Sequence, residues 1–181
     1  MKKTGKSQSN LIAKECIVTA LLQLIYEKPL SSITIAELTQ RAGVSRITFY
    51  RNYESKEDVF ISELREILER YGKEDFQNER KGIYYDKQHM THCFCYFATY
   101  RTFMDGLIYC GFGDLFLRFL TEYIQKKWAS DPSDQTERYR LAAFSGMLYN
   151  IYTAWVQNGC QESPAQLAAI IDNMYKNGLE A

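Results

Sequence analysis

Between positions 45 and 56 the chain gathers Ser45, Arg46, Thr48, Tyr50, Arg51, Asn52 and Lys56. All of these side chains can donate hydrogen bonds, and three carry a fixed positive charge. At helical spacing Phe49 points away from the polar face, toward Leu38 and the first helix. Such an array suits double-stranded DNA. Arg46, in the first turn of its helix, has the planar fork that pairs with guanine. Ser45, Thr48, Tyr50 and Asn52 can hydrogen-bond phosphates, Arg51 can pair with them, and Ile47 can touch a thymine methyl. Lys56 opens the next helix, where its ammonium and the helix N-terminus both address a phosphate. A merely structural hairpin has no need of Ser, Arg, Thr, Tyr and Arg together on its outer face.

Several helices must hold that face in place. Apolar residues recur at helical spacing from Leu11 through Ile17, Leu21 and Ile25, with Ser9 or Asn10 as the cap and Lys28-Pro29 as the stop. Thr34-Ile35-Ala36-Glu37 forms a capping box, and Gly43 can take the left-handed conformation that ends the short helix carrying Leu38 and Ala42 inward. Ser45 caps a third helix to about Asn52. Residues 35–52 therefore read as a helix-turn-helix, whose second helix enters the major groove. Ser55 caps a fourth helix, with Val59, Phe60, Leu64, Ile67, Leu68 and Tyr71 on one face and an expected stop at Gly72.

With 181 residues, 46% of them apolar and 24% charged, the chain can bury a core. Its zero net charge hides a division: residues 1–56 carry +5 and the remainder −5. A basic head on an acidic body implies that only the head meets a polyanion. Lys2, Lys3 and Lys6 read as a solubilising tail rather than a DNA-contacting arm. No apolar run approaches a membrane span, and no secretory signal precedes the five cysteines, so reduced thiols in a cytoplasm are expected.

The pattern weakens from Gly72 to about Lys87, and the composition then shifts: residues 83–155 hold 18 of the 26 aromatic side chains. Helices are expected at about 88–104, 107–111, 114–130, 135–158 and 164–177. Asp114 should cap the third of these, Gly159 should end the fourth, and Ser163-Pro164-Ala165-Gln166 should open the last. The fold class is thus all-α. No phosphate-cradling loop, nucleophile elbow or HExxH motif points to catalysis, and no cofactor is expected. His89, His92 and Cys93 share a helix face, but buried thiols and a partly exposed histidine explain them better than a metal site.

The stretch Ala42-Gly43-Val44-Ser45-Arg46-Ile47-Thr48-Phe49-Tyr50-Arg51-Asn52-Tyr53-Glu54-Ser55-Lys56 resembles the TetR/AcrR family of bacterial transcriptional regulators. The likeness is strong over about residues 9–60. Thr39 stands where the family usually has Ala, Ile47 where Gly or Ala is frequent, Asn52 where His is frequent, and Tyr53 where Phe is usual. The resemblance implies a helix-turn-helix domain over 1–55, a connecting helix over 56–72, and a helical effector-binding and dimerisation domain over 73–181. It further implies a cytoplasmic homodimer that binds a palindromic double-stranded DNA operator, has no membrane partner, and is released by a small molecule whose identity stays open. The alternatives are a co-regulator or activator of this fold working through a protein partner, and a metal-responsive regulator. A weaker likeness in the tail, Ala154-Trp155, Asn158-Gly159 and Glu162-Ser163-Pro164, is to a branch that includes regulators of dihydroxyacetone kinase genes.

Two residue sets follow for the body. The rings of Phe94, Phe97, Tyr100, Phe103, Phe116, Phe119, Tyr123, Tyr149 and Tyr152 are expected to line a ligand pocket with hydroxyl handles. The 135–158 helix is apolar on more than one side, which calls for a second subunit as cover. Phe144, Met147, Leu148, Ile151 and Trp155, with Leu167, Ile170, Ile171 and Met174 of the last helix, are the expected dimer interface.

Overall fold

The computed structural model describes residues 3–77 and 84–177, with side chains described over 8–74 and 84–176. Among these residues there are nine α-helices and no strand. They are α1 (Lys3–Glu27), α2 (Ile35–Ala42), α3 (Arg46–Asn52), α4 (Lys56–Gln77), α5 (Lys87–Thr99), α6 (Arg101–Tyr109), α7 (Gly113–Trp128), α8 (Gln135–Gln157) and α9 (Pro164–Asn177). A single 3-10 turn, Leu30–Ser32, joins α1 to α2.

The chain divides into two compact units. The first comprises residues 1–67 and 106–112, the second 68–105 and 113–181. This differs from a division at 55 and 72, and the cause is packing. Val59, Phe60 and Leu64 of α4 are buried, with Phe60 against the ring of Phe112 at 5.4 Å, so the first half of α4 completes the core of the first unit. Gly106 of α6 lets that helix come close to α1, since a Cβ there would lie 2.6 Å from Leu22 Cδ2. This core also includes Ile17, Leu21 and Ile25 of α1, Leu38 of α2, and Phe49 of α3.

The local signals place α2 and α3 as expected. Thr34 Oγ1 accepts from the Glu37 amide, and Glu37 Oε2 accepts from the Thr34 amide at 3.0 Å, closing the capping box. Gly43 sits at φ 66°, and the Val44 amide returns to the Thr39 carbonyl. Ser45 accepts from the Thr48 amide, and Ser55 from the Asp58 amide. Thr39 is buried, but its hydroxyl donates to the Ile35 carbonyl at 2.7 Å, which satisfies the polar atom it adds.

Some boundaries move. Helix α1 begins at Lys3, ahead of Ser9 and Asn10, so the backbone from Lys3 is helical rather than a tail. The side chains of Lys2, Lys3 and Lys6, and the linker residues Asn78 to Gly82, lie outside the described residues. By length and composition, Gln8–Glu27 is apolar enough to cross a membrane, with mean hydropathy 1.2, contrary to the reading of the bare sequence. Much of that character is core: Ile17, Ala20, Leu21, Leu24 and Ile25 are all buried.

In the second unit, α4 continues past Gly72 to Gln77. A Cβ at Gly72 would stand 3.2 Å from the Tyr123 ring, so this glycine serves close helix packing rather than termination. The expected 88–104 helix is two helices that break at Tyr100, and the expected 107–111 helix is the last turn of α6, which stops at Tyr109. Asp114 lies inside the first turn of α7, not at its cap. Asp86 and Asp134 cap α5 and α8. Ser163 and Gln166 form the reciprocal cap of α9, with the Gln166 Oε1 accepting from the Ser163 amide at 2.7 Å.

Candidate nucleic-acid interface

Helix α3 presents its residues unequally. Phe49 is fully buried and anchors the helix; its ring lies 5.8 Å from that of Tyr53. On the outside, Ser45, Arg46 and Arg51 are exposed, Ile47 is 73% exposed and Tyr50 61%. An isoleucine and a tyrosine thus stand open to solvent on the outer face of α3.

The cations of the first unit sort into two groups. Lys14 pairs with Glu66, Lys28 with Glu37, and Arg41 forks onto Glu27 at 2.7 and 3.0 Å. These pairs brace α1 against α2 and α4. Arg46 and Arg51 have no ion pair with any described residue. The hydrogen bond from Lys28, followed by the Thr34 amide and hydroxyl, holds the Glu37 carboxyl down at about 2. The Arg41 fork lowers that of Glu27.

Two residues expected at phosphates are used inside the fold. The Lys56 ammonium donates to the carbonyls of Ile33 at 2.8 Å and Ser31 at 3.1 Å, so it closes the 3-10 turn before α2. The Asn52 amide donates to the Thr48 carbonyl at 2.9 Å, while its oxygen accepts from Asn10 Nδ2 at 2.9 Å. Asn52 thereby ties α3 to α1. Asn10, read from sequence as a helix cap, is the residue that sequence reasoning missed; its partner is 42 positions away and no local pattern links them. The Thr48 hydroxyl lies 2.9 Å from that of Ser45, so this pair shares a hydrogen bond within the cap. Tyr53 is 2% exposed and its hydroxyl finds no hydrogen-bond partner. Burial raises its pKa first, then the nearby Glu63, Glu66 and Asp58.

The rings expected to line a pocket pack on one another. Phe116 lies 5.7 Å from Tyr149, 5.8 Å from Tyr152 and 6.1 Å from Phe97. Phe94 meets Trp155 edge-on at 5.9 Å, and Tyr123 meets Tyr71 at 5.6 Å. The Tyr152 hydroxyl donates to the Phe97 carbonyl. Phe94, Phe97, Phe103, Phe116 and Tyr152 are buried, while Tyr100, Phe119, Tyr123 and Tyr149 are half-buried. A second ring cluster joins Tyr84, Tyr85, Trp128, Phe144 and Tyr175, with Tyr85 and Tyr175 stacked at 4.3 Å.

The expected interface set divides too. Phe144, Leu148, Trp155, Leu167 and Ile171 are buried within the chain itself, because α8 and α9 pack inward through them. Met147, Ile151 and Met174 are half-buried and Ile170 is 50% exposed. With Ala143, Gly146 and Ala154 they leave an outer surface of small and apolar residues. His89 rests on Trp128 and His92 stacks on Tyr71. Among the described residues no group of three or more His, Cys, Asp or Glu side chains is placed to hold a metal ion.

A family model described as bacterial regulatory proteins, tetR family, matches residues 17–62, and one described as transcriptional regulator C-terminal region matches residues 87–177. A search of curated proteins finds no match. Among solved structures, the fatty acid degradation regulator FadR from Bacillus halodurans is similar in fold, with a TM-score of 0.63 and 19% identity over 93% of this chain and 96% of that one. The two matched regions take in the helix-turn-helix and most of the second unit, and the chain belongs to the TetR family of DNA-binding transcriptional regulators.

Proposed function

We propose that the chain represses transcription as a homodimer, laying two copies of α3 in successive major grooves of a palindromic operator and leaving it when a small molecule binds the second unit. The observation that carries this reading is the open face of Ser45, Arg46, Ile47, Tyr50 and Arg51 beside cations that are otherwise engaged within the fold. In this reading Arg46 meets a base edge and Tyr50 and Arg51 meet phosphates. Asn52 and Lys56 hold the recognition helix and the turn before it, and Thr48 supports Ser45. The outer surface of Met147, Ile151, Ile170 and Met174 closes the dimer, an interface expected to bury about 2,000 Å² or more. An effector that prefers a dimer with wrongly spaced heads shifts the population away from DNA.

Selection of binding sites from random duplexes tests the first part. A two-fold symmetric site supports the reading, and no enrichment of any sequence overturns it. Sedimentation tests the second. Wild type should be a dimer at micromolar concentration and Met147→Glu a monomer or insoluble; a monomeric wild type contradicts the proposal.

A further inference from the structure

The geometry points to a cleft at the α8–α9 turn as a binding site for a small, flat organic anion. This deepens the ligand-responsive reading above by naming a site and a ligand class. The cleft has a volume of about 420 Å³ and is lined by Ala98, Arg101, Trp155, Cys160, Ser163 and Gln166, among others. That volume lies within the range of small-molecule sites, about 300–1,000 Å³.

Its walls are fixed before any ligand arrives. Trp155 is buried, and its indole N–H donates to the Glu162 carbonyl at 2.9 Å. The Cys160 amide returns to the Trp155 carbonyl at 2.9 Å. Gly159 and Cys160 both stand in the left-handed region, at φ 74° and 55°. Cys160 is the one described non-glycine residue with positive φ, a conformation that survives only where the surroundings impose it. Ser163 and Gln166 are locked to each other by the α9 cap.

The charge of the lining selects the ligand. Arg101 is exposed and makes no ion pair with any described residue, so its donors are open to an anion. The positive end of α9 adds to the same field. Glu162 is the single carboxylate among the lining residues. Its charge disfavours a polyanion and favours a ligand with one negative group. Trp155, Ala98 and Pro164 supply the apolar wall that a flat body needs.

Two dyes make the test. 8-Anilinonaphthalene-1-sulfonate carries the anion, and N-phenyl-1-naphthylamine has the same body without it. Both are titrated into the full chain in a Trp128→Phe background, which leaves Trp155 as the reporting indole. The sulfonate should bind more tightly than the neutral dye, lower Trp155 emission, and slow alkylation of Cys160 as read by peptide mass spectrometry. Arg101→Gln should weaken the sulfonate about tenfold and leave the neutral dye unchanged, while Arg101→Lys retains most of the affinity. Gln161→Glu, at another exposed lining residue, should also weaken the sulfonate. Equal sulfonate affinity in wild type and Arg101→Gln, with matching thermal unfolding, overturns the proposal. So does binding that leaves both Trp155 emission and Cys160 alkylation untouched. Operator selection without dye reads the regulator proposal separately, so either can fail alone.

Discussion

In the first unit, charged and polar side chains engage one another while Arg46 and Arg51 stand open; in the second, aromatic side chains pack on one another, and one cleft lies at the α8–α9 turn. Lys14, Lys28, Arg41, Asn52 and Lys56 all have internal partners, whereas Arg46 and Arg51 of α3 make no ion pair with a described residue. Phe97, Phe116, Tyr149 and Tyr152 meet in tilted and edge-on contacts, while the cleft beside Arg101 lies at the α8–α9 turn. The lesson is that the type of a residue announces its chemistry, but its partners decide whether that chemistry is available.

The widest test of this contrast compares one ring from each unit. Phe49 and Phe116 are both nearly fully buried. If both are packed core, Phe49→Ala and Phe116→Ala should each lower stability by about 3–5 kcal/mol in urea unfolding. A much smaller loss at Phe116 would mean that it borders a cavity.

What the sequence disclosed follows the same division. The Thr34–Glu37 box, Gly43, Ser45, and the Ser163–Gln166 cap each depend on residues within a few positions, so their spacing displays them. The fold class and the recognition helix were legible for that reason. The Asn10–Asn52 tie and the Lys56–Ile33 bond join distant segments, and no periodicity reveals them. The break at Tyr100 has no Pro or Gly to mark it. Gly72 has the appearance of a stop, but its reason lies across the unit at Tyr123. A count of aromatics cannot distinguish a lined cavity from a filled one, because that depends on volumes set by long-range packing.

The next test sharpens the contrast between open and engaged cations. Arg46→Ala should cost about 1–3 kcal/mol in operator binding and relax preference at one base pair per half-site, measured by anisotropy on a selected duplex. Lys56→Ala should leave the salt dependence of binding nearly unchanged and instead lower stability, because its ammonium is occupied by two carbonyls. A salt slope reduced by about one would return Lys56 to the phosphates.

Tyr53 offers a gain. Its hydroxyl is buried without a hydrogen bond, so Tyr53→Phe should raise stability by about 1–3 kcal/mol, seen as a higher urea midpoint. Destabilisation would reveal a partner for that hydroxyl. The smallest effect concerns Glu37, an exposed carboxyl held at about 2 against an ordinary 4.5. The folded state binds its proton less readily than the unfolded one, so its contribution is complete above pH 4.5 and fades as pH falls toward 2. Urea unfolding across that window should show a shallower pH dependence for Glu37→Gln; an unchanged profile would remove Lys28 and Thr34 as effective partners.

The claim that the open face of α3 meets DNA is tested most directly at Ile47, an apolar side chain 73% exposed in the free chain. Its δ1-methyl resonance can be followed by methyl NMR as a selected operator duplex is added. The Ile47 methyl should shift and show contacts to DNA protons, while the buried methyls of Ile17 and Ile124 stay in place. An Ile47 signal unchanged at saturating DNA would place the nucleic acid elsewhere and contradict the account.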